Sequence, residues 1–168
     1  MLPARALSTI RSMTEKGPQR SLIVAVDGSE GGNAAIGAAI ALARELPAAL
    51  TFVFVRKRPS SMLGYPLPLH ERHVSYDLRR ARETIGLAIE TARAVGIECD
   101  GEILEGDVAD EIVSLADNRN AELIVVGSRG HGALAGALLG SVSQAVVQHA
   151  HVPVLVAKHR PVPRAKVA

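Results

Sequence analysis

Residues 123–132 read Leu123-Ile124-Val125-Val126-Gly127-Ser128-Arg129-Gly130-His131-Gly132, and after seven more residues comes Gly140-Ser141-Val142-Ser143. The opening four are the most hydrophobic, β-branched run of the chain, the pattern of a strand buried on both faces. A glycine-rich loop follows it, and a helix is expected from Ser141 to about His149. Toward the C-terminus, Val152-Pro153-Val154-Leu155-Val156 reads as a last strand, at a sheet edge because Pro153 has no N–H to donate. Toward the N-terminus, Asp107 is placed to cap a helix running through Asp117, with Val108, Ile112, Val113 and Leu115 apolar. Before it, residues 97–104 alternate apolar and acidic side chains, as an edge-near strand does. A helical pattern spans about His73 to Val95 and stops at Gly96. The segment from Ser60 to about His70 is proline-rich and reads as a loop. Leu50–Val55 is a strand, Gly31 to the residue before Pro47 a helix, and Ser21–Val26 a first strand closed by Asp27-Gly28-Ser29. Strands and helices alternate. The expected fold is therefore a single-domain α/β protein, a parallel sheet with helices on both faces.

Composition narrows the classes. The chain has 168 residues, 48% hydrophobic and 21% charged, with 2% aromatics and no Trp. Those values describe a soluble globular domain and exclude disordered, collagen-like and coiled-coil chains. No run approaches the roughly 20 apolar residues of a membrane span, so no membrane role is expected. Cys99 is the single cysteine, which excludes an intramolecular disulfide and fits a reducing cytoplasm. The pI is near 9.0, yet the basicity sits at the ends. Residues 1–20 carry +3 and 157–168 carry +4 of a total of +2, leaving the body at −5. A basic groove in the folded body is not expected, and no nucleic-acid partner is. The ends, 1–20 and 159–168, read as a flexible extension and a flexible basic tail around a folded domain over 21–158.

The chemistry lies in the glycine loop. Gly127 and Gly130 let backbone N–H groups come close to an anion as the chain leaves a buried strand. Gly140, Ser141 and Ser143 open a helix, whose first N–H groups and dipole favour phosphate, with two hydroxyls as further donors. Arg129 is placed either to neutralise phosphate or to sit in solvent, and His131 either to touch a phosphate or to be solvated. Ser141 has a second reading as a plain N-cap. Asp27 has one as a turn carboxylate bonded to its own backbone.

Gly127-x2-Gly130-x9-Gly140-Ser141 resembles, without a gap, the nucleotide-binding pattern of the universal stress proteins. Residues 22–29 resemble that family's first strand and loop, 121–128 its fourth, and 152–156 its last. The resemblance covers about residues 20–158. It implies a five-stranded parallel sheet of order 3-2-1-4-5, like that of the adenine nucleotide hydrolases, dimeric through the last strand (Val152, Val154, Val156). It also implies ATP in the crevice between strands 1 and 4, where the strand order reverses and α/β sheets bind ligands. By the same resemblance, Asp27 and Val55 border adenine and ribose. Val126, Gly127, Arg129, Gly130, Gly140, Ser141, Val142 and Ser143 line the ribose and phosphate path. Mg²⁺ would arrive with the nucleotide, with Asp27 as the nearby carboxylate.

Rival chemistries find less support. No Gly-x4-Gly-Lys-Ser/Thr phosphate loop occurs, nor a dinucleotide Gly-x-Gly-x-x-Gly after the first strand. The strand-1 loop also lacks the serine–glycine run of ATP pyrophosphatases. The histidines (His70, His73, His149 and His151 among them) have no acid or Cys partner at metal-ligand spacing and read as surface residues. Ser128, Ser141 and Ser143 have no assignable base, so efficient catalysis is not expected. The leading expectation is a dimeric, cytoplasmic, ATP-binding regulator of a stress response. A nucleotide-independent protein-interaction module and a slow ATPase are the alternatives.

Overall fold

The computed structural model describes residues 20–57, 67–130 and 139–159, with 67–73 described in backbone only. The elements are β1 (Arg20–Ala25), α1 (Glu30–Glu45), β2 (Ala48–Lys57), α2 (Leu67–Arg93), β3 (Cys99–Gly106), α3 (Val108–Asn118), β4 (Leu123–Gly127), α4 (Ser141–His149) and β5 (Val154–Ala157). They build one five-stranded sheet in the order β3-β2-β1-β4-β5, with every neighbouring pair parallel.

Period-two alternation of the central strands feeds two separate cores. Leu22, Val24, Leu50, Phe52, Phe54 and Val125 point to the face covered by α1 and α2. Ile23, Val53, Ile124 and Val126 point to the face covered by α3 and α4. That is why β1 and β4 read as continuous apolar runs rather than as alternating ones. Phe52, Ile23 and Ile124 are fully buried, each worth about 1.5–3 kcal/mol of transfer free energy.

Helix boundaries follow capping chemistry. Ser29 caps α1 by accepting from the Gly32 N–H at 3.1 Å. Asp107 caps α3 by accepting from Ala109 and Asp110 at 3.0 and 3.3 Å. After α2, the Gly96 N–H donates to Arg93 O and the Ile97 N–H to Ala92 O, the paired closure expected at that glycine.

Most boundaries lie within one or two residues of the sequence reading, and two of the differences bear on the site or the sheet edge. α2 starts at Leu67, so the end of the expected 60–70 loop is helical. Pro68 sits in the first turn, where its missing N–H has no helical partner to lose. The rest of that expected loop lies outside the described residues. β5 covers only Val154–Ala157, so Val152 and Pro153 precede it. Pro153 still contributes, its carbonyl accepting from the Ile124 N–H at 3.0 Å.

The two free edges are unlike. β3, expected near an edge, carries Asp100 and Glu102, both held by Arg119 from the end of α3. β5 is short and apolar. Its Val154 and Val156, with Val152 before it, pack half-buried on the α3/α4 core, while Leu155 is exposed. Arg20, expected to end a flexible extension, instead opens β1 and pairs with Glu122; residues 1–19 and 160–168 lie outside the described residues. His151, read as a surface residue, is exposed and meets Asp117 at 3.0 Å, a contact between elements that sequence spacing does not show.

Candidate nucleotide site

Two loops leave the carboxyl ends of the adjacent central strands β1 and β4 and face each other. In the first, Asp27 folds back on itself. Its Oδ1 accepts from the Ser29 N–H at 2.9 Å and the Ser29 hydroxyl at 2.5 Å. The turn-carboxylate reading is thus realised for one oxygen. The other oxygen faces the second loop: a methyl placed on Gly130 would stand 2.6 Å from Asp27 Oδ2.

The glycines of the second loop are needed by the protein itself. A Cβ on Gly31, at the start of α1, would lie 1.7 Å from the Arg129 carbonyl oxygen. One on Gly127 would lie 2.4 Å from the Gly31 carbonyl. Backbone meets backbone there, and only hydrogen fits between. Gly127 therefore packs α1 against the loop as well as bordering the cleft. Gly31 shares that function, while Gly32 makes room for the Asp27 carboxylate, 2.7 Å from where its Cβ would stand; both escaped the sequence reading. Gly140 is different, since a Cβ there meets only ordinary contacts from 3.5 Å outward.

α4 begins at this loop. Its N-cap is Gly140, with no side-chain hydrogen bond to the first turn, so Ser141 is not the cap. Ser143 departs from expectation. Its hydroxyl is buried and donates to the Gly127 carbonyl at 2.5 Å, so it ties α4 to the loop and is not a spare phosphate donor. The Gly140 N–H donates to Ser128 O at 2.7 Å, fixing the loop's other side. What α4 presents to the cleft is its first-turn backbone and the exposed Ser141 hydroxyl, an anion-favouring end.

All ten residues singled out in the sequence line one cavity of about 400 Å³: Asp27, Val55, Val126, Gly127, Arg129, Gly130, Gly140, Ser141, Val142 and Ser143. That volume suits a small ligand. Its floor is apolar, with Ala25, Val53, Val108 and Ile112 beside Val55 and Val126. Its polar wall adds Arg56, Lys57, Asp77 and Arg80, which the sequence reading missed. Arg56 and Lys57 were visible as the basic end of the second strand. Asp77 and Arg80 carry no local signal, because their place on the wall depends on how α2 packs.

His131 and the stretch after it lie outside the described residues. Among the described residues, no group of three or more His, Cys, Asp or Glu side chains could hold a metal ion. Also among them, no helix is long and apolar enough to cross a membrane. Cys99, the first residue of β3, is buried, and burial pushes its thiol pKa up with Arg93 opposing.

A parallel sheet with a glycine-walled cleft at its point of strand reversal defines a Rossmann-like α/β protein. The sequence model described as "Universal stress protein family" matches residues 19–158, and the chain belongs to that family. A universal stress protein of Methanocaldococcus jannaschii is 34% identical over 140 residues, 83% of this chain and 82% of the relative. Among solved structures, a universal stress protein in complex with cAMP is similar at TM-score 0.60 and 26% identity, covering 84% of this chain and 98% of that one. Another, from Archaeoglobus fulgidus in complex with dAMP, is similar at TM-score 0.61 and 25% identity, covering 83% and 98%.

Proposed function

We propose that the protein binds an adenine nucleotide, ATP in the first instance, and acts as a homodimeric regulator in the cytoplasm whose occupancy follows the nucleotide pool during stress. The observation that carries this reading is the convergence of four elements on one cavity: the ends of β1, β2 and β4 and the start of α4. An apolar floor beside Val55 suits a purine, and a glycine loop with an uncapped helix start suits phosphate. The cAMP and dAMP complexes of the two structural relatives support the same ligand class.

The reading is of a binding protein rather than an efficient hydrolase. The Ser143 hydroxyl donates to Gly127 O, a carbonyl that cannot serve as the activating base a nucleophile needs. A Mg²⁺ ion would be held chiefly by the phosphates it arrives with, Asp27 and Asp77 being the carboxylates on the cavity wall. Dimerisation is assigned to the β5 edge. Its main chain would pair with a second copy while Val152, Val154 and Val156 stay on their own core.

Thermal unfolding with and without ATP tests the central claim. Ligand at one hundred times Kd stabilises the folded form by about 2.7 kcal/mol, so a clear rise in Tm is expected. Ser141→Glu introduces an acidic residue at a helix start, where it is tolerated, and puts a carboxylate where phosphate would sit. It should abolish the rise. No rise in the wild type, or an equal rise in Ser141→Glu, rejects the reading. Light scattering that shows a monomer at every concentration rejects the dimer.

A further inference from the structure

Asp27, expected beside adenine and ribose, stands against the glycine loop assigned to the ribose and phosphate path. Asp27 Oδ2 faces Gly130, and Oδ1 lies against the start of α1, where a methyl on Gly32 would stand 2.7 Å away. A polyphosphate lying along this loop would meet that negative charge at close range, and a low-dielectric cleft strengthens the repulsion. A cation fixed on the same residue would offset it.

Arg80 occupies that position. From α2 it reaches across to donate Nη2–H to the Asp27 carbonyl at 2.6 Å. Its guanidinium also lies over the Phe54 ring, 5.9 Å from the centroid. A guanidinium has five N–H donors, and a single carbonyl uses a minority of them. No ion pair holds Arg80 among the described residues, and it is half-buried on the cavity wall. Arg129, the cation of the β4–α4 loop itself, is exposed and has no such anchor among the described residues. A cation held in place before the ligand arrives loses less freedom on binding.

The wall beside Arg80 is also rich in donors. Arg56, paired with Glu105 at 3.1 Å, has its side chain nine-tenths buried, and its Nε–H has no partner among the described residues. Buried donors are normally satisfied, so this side of the cavity is built to face an acceptor.

We propose that Arg80 is a ligand-contacting residue that reads the phosphate charge of the nucleotide, allowing a polyphosphate to lie beside Asp27. This rests on the nucleotide reading above and adds to it: α2 supplies a specificity determinant that the glycine pattern does not contain.

Calorimetric titration of the full chain with ATP and with AMP tests it. Arg80→Gln retains a donor for the Asp27 carbonyl and removes the charge. It should weaken ATP by about tenfold or more, the worth of a charged hydrogen bond, and AMP by clearly less. Arg80→Lys should recover part of the ATP affinity. Arg79→Gln, one residue away on the solvent side, should leave both unchanged. The melting temperature of each ligand-free variant reports folding separately. If the wild type binds neither nucleotide, the reading of the site itself is wrong. If it binds both and Arg80→Gln lowers them equally, or lowers neither, Arg80 does not read phosphate charge and the inference falls alone.

Discussion

The two loops at the strand reversal begin alike and end differently. Each leaves a buried parallel strand and enters a helix. The β1–α1 loop closes on itself: Asp27 accepts from Ser29, and Ser29 accepts from Gly32. The β4–α4 loop has no side-chain cap at its helix, and the buried Ser143 hydroxyl of α4 turns back to the Gly127 carbonyl. An N-cap is a cheap way to satisfy a helix start, and α1 and α3 both use it. Leaving α4 without one forgoes stability, and under the proposed function it leaves the first-turn N–H groups for a ligand. The first loop is scaffold; the second is held open by it.

The largest effect expected from that division comes where the loops touch. Gly31→Ala would drive a methyl into the Arg129 carbonyl, 1.7 Å away. Neither side can yield by rotating a side chain, so overpacking should cost at least about 1–3 kcal/mol. Urea unfolding should show a lower midpoint with an unchanged slope. Gly37→Ala, six residues along the same helix with open space around it, should instead stabilise by about 0.5–1 kcal/mol. Equal responses from the two would mean that the loops are not packed through Gly31.

A smaller effect separates capped from uncapped helix starts. Ser29→Ala should cost about 1 kcal/mol, because it removes the acceptor for the Gly32 N–H and leaves Asp27 without its hydroxyl partner. Ser141→Ala removes an exposed hydroxyl that caps nothing, and without ligand it should stay within about 0.5 kcal/mol of wild type. In the presence of ATP the order should reverse for binding: Ser141→Ala weakens the ligand, and Ser29→Ala leaves the α4 donors in place. Chemical denaturation paired with titration of both variants checks this.

Local chemistry made much of this legible. Apolar runs marked the central strands, Asp107 marked a cap, and the glycine spacing marked a loop that the fold does bring to the cleft. The strand order came through family resemblance, since periodicity says which residues are strands and not which strands are neighbours. Three things were hidden for physical reasons. Gly31 looks like an ordinary weak helix residue until α1 is packed on β4. The Ser143 hydroxyl counts as a free donor until the Gly127 carbonyl is placed beside it. Arg80 sits fifty-three residues from Asp27, and nothing local ties one to the other. The start of α2 was missed because proline usually signals a loop, whereas in a first turn it is tolerated.

The smallest expected change in stability sharpens the comparison most. Gly140 has extended backbone angles, φ −72 and ψ 158, which any N-cap residue adopts, and a Cβ there finds only ordinary contacts. Asp at this position should accept from the first-turn N–H groups of α4, as Asp107 does for α3. Replacing a glycine cap by Asp is worth only a few tenths of a kcal/mol, so the ligand-free Tm of Gly140→Asp should rise slightly or hold. Its carboxylate would then occupy the helix start by intramolecular competition, and ATP affinity should fall by about tenfold or more, the worth of charge-assisted bonds lost to the phosphate. A protein made no less stable and less able to bind is the signature of an open end kept for a ligand. Should Gly140→Asp bind ATP as well as wild type does, the α4 terminus would be no more a phosphate seat than the capped start of α1.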